Sequence, residues 1–201
     1  MRTSSLFRVD SVGGTHVLHL CSKDSTIRLT RDLVLQLTET FQELALEGLP
    51  LIVTGNDQFF SVGADLNEIA ALNGPTALEF SKMGQTLMQL VDEFPASVTA
   101  AISGYCMGGG LDLALACRYR FASPNSVFGH RGAALGLITG WGGTQRLPRL
   151  IGKGRTLQLL VAAEKLSAVE ALRIGLIDAL ADDPVAAALS LSNLALNNED
   201  E

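Results

Sequence analysis

The amino-acid sequence predicts an α/β fold. Short apolar strand candidates alternate with amphipathic helix candidates through the first two thirds, and helical patterns then dominate. The strand candidates "LPLIVTG" and "SVTAAIS" are apolar nearly throughout, as strands covered on both faces are. No heptad, low-complexity tract or shift in composition marks a second domain. With 201 residues, 47% of them hydrophobic, the chain can build ample core for one large domain or a tight pair.

In chain order, residues 6–10 and 15–20 read as two strands about a turn at Gly13 and Gly14. Residues 31–47, "RDLVLQLTETFQELALE", carry helical spacing, and Gly48 stops it. Residues 49–55 form a strand. "NDQFFSVGADLNEIAAL" is a loop that becomes a helix near Asp65, an N-cap or first-turn acid. Residues 75–94 form an amphipathic helix, opened by Pro75 and closed before Pro95. A buried strand at 97–103 leads into Gly108, Gly109 and Gly110, then a short helix over about 109–117 and the strand "RYRFAS". After "GGTQRLPRLIG" helices are expected to about residue 196, and "NNEDE" reads as a polar, frayed tail.

Net charge is −6, which argues against nucleic acid and anionic membrane as main partners. No apolar run follows a basic start, so no signal peptide is visible, and the apolar runs are too short to span a bilayer. Cys21, Cys106 and Cys117 are odd in number and form no CxxC pair, which reads as reduced thiols in a cytoplasmic protein. Cys106, close to the glycines, could be a nucleophile; a small apolar filler is the preferred reading. His16, His19 and His130 match no zinc motif, and no metal is expected. His16 and His19 fall on opposite faces of one strand, which suits a structural or solvent role.

The segment "SGYCMGGGLDLALACRYRFAS" (103–123) places glycines directly before a helical pattern with one acid, Asp112, inside it. A dinucleotide cradle is excluded, because the last position of GxGxxG falls on Leu113. A Walker A loop is excluded too, since Lys153 is followed by Gly154. Close helix–strand packing is one reading of the glycines. The other is an oxyanion hole, in which backbone N–H groups at a helix start hold a carbonyl oxygen, each donor contributing about 3 kcal/mol. A second donor would come from "FFSVGADLNEI" (59–69), where Gly63 and Ala64 stand at another loop-to-helix junction.

Four segments in order, "FFSVGADLNEI", "AAISGYCMGGGLDLALACRYRFAS", "FGHRGAALGLITGWGGTQRLPRLIG" and "LSAVEALRIGLIDAL", resemble the enoyl-CoA hydratase/isomerase (crotonase) family. The resemblance covers about residues 6 to 180. It implies a spiral of ββα units over 1–180, with a short helix and polar tail at 181–201. It also implies an acyl-CoA thioester substrate, no cofactor beyond the CoA of that substrate, and a homo-oligomer, either a trimer or a dimer of trimers. Matched by motif, the oxyanion donors are the N–H groups of Ala64 and Gly109, with Asp65, Leu66 and Gly108 beside them.

Two positions depart from the hydratase pattern. The glutamate two residues after the third glycine is Asp112 here, and the second glutamate aligns with Gly132. Asp112 resembles the aspartate of dienoyl-CoA isomerases, but their other acids would fall on Gly132 and Gly140. An acid in a helix's first turn is favoured by the dipole alone. The apolar neighbours Leu111, Leu113, Ala114 and Leu115 favour a working role for Asp112, as acid/base. His130 and Arg131 flank the glutamate position; a polar-face placement is preferred over a substitute acid/base or an acyl contact. Trp141 either lines the acyl pocket or fills the core. In "CSKDSTIRLT", Asp24, Ser25 and Thr26 replace the asparagine-containing loop that relatives place near the CoA adenine. A weakly catalytic CoA-ester binding protein, and a hydrolase or decarboxylase of the same fold, are the alternatives.

Overall fold

The computed structural model describes residues 2–199. The chain begins with β1 (Arg2–Thr3), β2 (Phe7–Val12) and β3 (Thr15–Leu20). Gly13 and Gly14 join the last two with φ of +57° and +78°, the conformation a twisted two-residue hairpin needs. β4 (Arg28–Leu29) leads to α1 (Arg31–Ala45). The Thr30 hydroxyl caps α1 by accepting from the Leu33 N–H at 3.2 Å. Leu33, Val34, Leu37, Phe41 and Leu44 form its buried stripe, at helical spacing.

Next come β5 (Leu51–Thr54), β6 (Phe59–Ser61), β7 (Gly63–Ala64), α2 (Leu66–Ala70) and α3 (Gly74–Asp92). Asn73 and Thr76 form a capping box around Pro75 at the start of α3. The middle of the chain holds β8 (Val98–Ile102), β9 (Tyr105–Met107), α4 (Gly109–Ala116), β10 (Tyr119–Ala122) and β11 (Val127–Gly129). A 3-10 turn at Gly132–Leu135 precedes α5 (Gly143–Ile151) and α6 (Lys153–Val161). β12 (Lys165–Ser167), α7 (Ala168–Arg173), β13 (Ala179–Leu180) and α8 (Pro184–Glu199) complete it.

The larger sheet has the order β1-β2-β3-β5-β8-β10-β13, parallel from β3 onward. The second has the order β12-β11-β9-β6, with β6, β9 and β11 parallel. Strands fall alternately into the two sheets: β5 then β6, β8 then β9, β10 then β11. A helix follows each pair, so every unit adds one strand to each sheet and the chain climbs as a spiral of ββα units. β4 and β7 form a separate parallel pair.

β5 and β8 are buried at every position, as their unbroken apolar runs predicted. The main core lies against α1, α3 and α4, while Ala188 of α8 packs with Val17, Ile52 and Ala101 in a separate small cluster. Arg120 braces β10 from within: Nε donates to Leu176 O at 2.9 Å, Nη1 to Cys117 O at 2.6 Å, and Nη2 meets Asp178 Oδ2 at 3.1 Å. His16 is buried, bonded to the Ser11 hydroxyl at 3.0 Å and paired with Glu47, whereas His19 on the other face is partly exposed.

The C-terminal third corrects one expectation. β12 and β13 interrupt the expected helices, and the helix α8 carries through Asn197, Asn198 and Glu199, where a frayed tail was expected. β9 and β11 were also not anticipated. Strands of two or three residues are too short to show a period and are specified by their neighbours' ladders. Asp200 and Glu201 of the tail lie outside the described residues.

Candidate active site

Two strand-to-helix junctions meet at one place. At the first, Gly63 takes φ +94° and Asp65 caps α2, accepting from the N–H groups of Asn67 at 2.8 Å and Glu68 at 3.2 Å. At the second, Gly108 takes φ +52° and its N–H bonds Gly129 O at 3.0 Å. Gly109 is the first residue of α4, so its N–H is among those with no acceptor inside the helix.

The approach leaves no room for side chains. A Cβ on Gly109 would stand 2.6 Å from the Trp141 ring and 3.4 Å from Ala64 N; one on Gly63 would stand 2.8 Å from Gly109 N. Gly110 answers to packing instead, since its Cβ would strike Ser61 of β6 at 2.7 Å. The glycine run thus meets two steric demands: close approach to Ala64 and Trp141 at Gly109, and helix–strand packing at Gly110.

A cavity of about 840 Å³ opens over these junctions. Ala64, Asp65, Leu66, Gly108, Gly109, Asp112, His130, Gly132 and Trp141 all line it, so the residues singled out from sequence share one wall system. Trp141 is at once core filler and cavity wall. It is 3% exposed, packs at a tilt against Phe80 with centroids 5.2 Å apart, donates Nε1–H to Phe80 O at 3.2 Å, and still lines the cavity.

Asp112 is 2% exposed. The Thr139 hydroxyl donates to its Oδ2 at 2.5 Å. His130 Nε2 stands 3.4 Å from both carboxylate oxygens, a long approach that leaves Oδ1 without a well-formed hydrogen bond among the described residues. The start of α5 runs alongside, because a Cβ on Gly143 would overlap Oδ1. The carboxylate thus sits in the first turn of α4 and beside the N-terminus of α5, both favourable to negative charge.

His130 corrects its expected polar-face placement. It follows β11, which pairs with β9 next to α4, and this register carries the imidazole inward to 6% exposure; Arg131, the next residue, faces out. Gly132 has no positive φ, yet a Cβ there would meet Leu137 O at 2.8 Å, and one on Gly140 would strike the Ser81 hydroxyl. The Leu137 carbonyl thus crowds the Cβ position of the aligned glutamate, although Gly132 itself lines the cavity.

Cys106 is fully buried, and burial, with Cys117 and Asp112 adding, pushes its thiol well above the usual range. That opposes the thiolate a nucleophile needs. The Asp24 carboxylate is held down at about 2 by the Ser22 hydroxyl, Arg28 and the Thr26 N–H, a local turn in which Ser25 takes φ +62°. Thr139, Arg28 and Lys165 also line the cavity and were not singled out from sequence. Thr139 is 27 residues from Asp112, with no local pattern to announce the contact. Among the described residues, no group of three His, Cys, Asp or Glu side chains is placed to hold a metal, and no helix is long and apolar enough to cross a membrane.

The enoyl-CoA hydratase/isomerase family model matches residues 25–192. The chain belongs to the enoyl-CoA hydratase/isomerase family. It is 43% identical over 129 residues to the crotonyl-CoA hydratase of Syntrophomonas wolfei, covering 64% of this chain and 50% of the relative. It is 41% identical over 134 residues to a probable enoyl-CoA hydratase of Bacillus subtilis, covering 66% and 52%. The chain therefore spans about half the length of these curated relatives. Among solved structures, Pseudomonas aeruginosa DspI superposes with a TM-score of 0.92 at 32% identity, over 98% of this chain and 82% of that one. Enoyl-CoA hydratase from Bacillus anthracis does so with 0.88 at 32% identity, over 93% and 75%. The spiral of ββα units is thus the crotonase fold of this family.

Proposed function

We propose that the chain binds an acyl-CoA thioester and processes it in the manner of an enoyl-CoA hydratase. The observation that carries this is the convergence of the Ala64 and Gly109 backbones beside Asp112 in one cavity. The two N–H groups hold the thioester oxygen as an oxyanion hole, stabilising the enolate formed when water adds to the β-carbon or an α-proton is removed. Asp112 belongs to the proton-transfer group. Leu66 and Trp141 line the acyl path, and Asp65 sets the angle of the first junction through its cap. Arg28, Arg131 and Lys165 put three cations in the wall of an otherwise acidic protein, which suits the phosphates of CoA. No further cofactor enters this scheme.

Gly132 supplies no second carboxylate, which favours slow hydration. It also keeps open the reading of a binding protein with little turnover, or a hydrolase or decarboxylase. Assembly as a trimer or dimer of trimers is part of the proposal. It is supported by the exposed apolar side chains Leu135, Ile138, Leu157 and Val161 on the 3-10 turn, the loop after it and α6, and a cytoplasmic setting by the free cysteines. The division into a core at 1–180 and a terminal segment at 181–201 belongs to the same reading.

Incubation with a panel of acyl-CoAs, followed by mass spectrometry of the products, is the direct test. Mass gain of one water identifies hydration; free CoA identifies hydrolysis. Calorimetry should show acyl-CoA binding well above that of the free acid. Equal affinity for an acyl-CoA and an unrelated nucleotide would defeat the proposal.

A further inference from the structure

We propose that His130 is the proton-carrying catalytic residue of this site, held and polarised by Asp112, so that an imidazole–carboxylate pair replaces the two carboxylates of the family pattern. The inference rests on the acyl-CoA reading above.

Both side chains are more than nine-tenths buried and both line the cavity. His130 Nε2 faces the Asp112 carboxylate at 3.4 Å, and Thr139 fixes the carboxylate from the other side at 2.5 Å. A carboxylate that is itself anchored, and that faces one ring nitrogen, orients an imidazole and stabilises the charge it gains on taking a proton.

Of the other charged groups in the wall, Arg131 is exposed and three have partners. Asp65 caps α2. Arg28 is bonded to Asp24 at 2.8 Å. Lys165 lies over the Tyr105 ring at 5.6 Å. Gly132 brings no side chain, and a Cβ there would press on Leu137 O. Asp112 is one methylene shorter than the glutamate it replaces, and one of its oxygens is bound to Thr139. The imidazole supplies a second titratable group in the cavity wall.

In water addition, one water O–H bond breaks and its proton passes to the pair. The water oxygen bonds the β-carbon, and the C=C electron pair moves to the enolate held by the Ala64 and Gly109 N–H groups. The pair then returns the proton to the α-carbon, and the thioester carbonyl re-forms. The same pair removes an α-proton from a saturated acyl-CoA and returns it, which exchanges that hydrogen with solvent.

Butyryl-CoA in D2O tests this without relying on net turnover. Calorimetry reads binding, and mass spectrometry reads α-deuterium uptake. The natural protein should bind and exchange. His130→Gln and Asp112→Asn should each keep binding within about threefold and lose exchange by about a hundredfold or more. The double variant should lose little beyond the worse single, because the two act as a unit. Thr139→Val should weaken exchange and Thr139→Ser should restore it. Exchange undiminished in a His130→Gln protein that binds butyryl-CoA would overturn the pair and leave Asp112 as the sole carrier. Failure of the natural protein to bind would instead overturn the acyl-CoA reading, and the pair with it. If His130→Gln does not fold, the imidazole 15N resonances of His130 in the natural protein decide: a shift on adding butyryl-CoA supports the proposal, and no shift overturns it.

Discussion

Arg120 and Asp112 are both buried ionisable side chains, 5% and 2% exposed, yet their surroundings differ. Arg120 donates to Leu176 O and Cys117 O and pairs with Asp178, and it is not among the residues that line the large cavity. Asp112 has one oxygen bonded to Thr139 and the other facing His130 at 3.4 Å, in the wall of the large cavity. A buried polar group with all its partners in place stiffens the fold. One left partly free beside open space retains capacity for a ligand or a proton. The contrast separates a satisfied brace from a partly satisfied acid beside a cavity without reference to any relative.

Breaking the brace should have the largest effect. Arg120→Ala strips Leu176 O and Cys117 O of their partner and leaves a void under β10. A loss of about 3 kcal/mol is expected from denaturant melts, with acyl-CoA affinity of the folded protein unchanged. Unaltered stability would show that satisfied buried ions here contribute nothing.

Asp112→Asn should show the reverse profile. Proton transfer should fall by about a hundredfold, equal to about 2.7 kcal/mol of barrier, while stability moves by less than about 1 kcal/mol. The amide can still accept from Thr139. A collapse in stability of the size seen for Arg120→Ala would make Asp112 a second brace.

Gly132→Glu sharpens the same contrast by adding an acid where the family pattern has one. The φ of Gly132 permits a side chain, but its Cβ would press on Leu137 O. The substitution should cost about 1–2 kcal/mol and leave hydration no faster. A clear gain in hydration would mean that the loop after β11 gives way and that the carboxylate count alone limits the rate.

The helices were readable from sequence because caps and apolar spacing are local. Thr30, Asp65 and the Asn73–Thr76 box mark starts within a few residues of the runs they open. The two glycine junctions were readable for a similar reason: Gly63–Ala64 and Gly108–Gly109 are short motifs at fixed offsets from apolar strands. What escaped was non-local. β9, β11 and β12 exist only as rungs of a ladder built from distant segments. His130 faces inward because β11 pairs with β9, and "HR" by itself gives no sign of which residue turns in. Thr139 reaches Asp112 across the whole loop, and no spacing rule connects them.

The smallest effect concerns the thiols, and it tests whether the brace holds the structure around it closed. Burial pushes the Cys117 thiol up to about 12, with the nearby Arg120 and Arg146 charges pulling the other way, and its Sγ–H donates to Leu113 O at 3.3 Å. Burial raises the Cys106 thiol as well, and Cys21 alone of the three is only half-buried. The thiolate is the reacting form, so iodoacetamide at pH 8 should modify Cys21 first and leave the other two slow. Removing the Arg120 charge takes away a lowering influence and by itself raises the Cys117 thiol further, which slows reaction. Faster labelling of Cys117 in Arg120→Ala can therefore come only from opening of the structure around it. Peptide mapping should show that acceleration in Arg120→Ala and none in Asp112→Asn. Equal acceleration in both would mean that the cavity wall and the β10 brace open as one unit, and the distinction between them would fail.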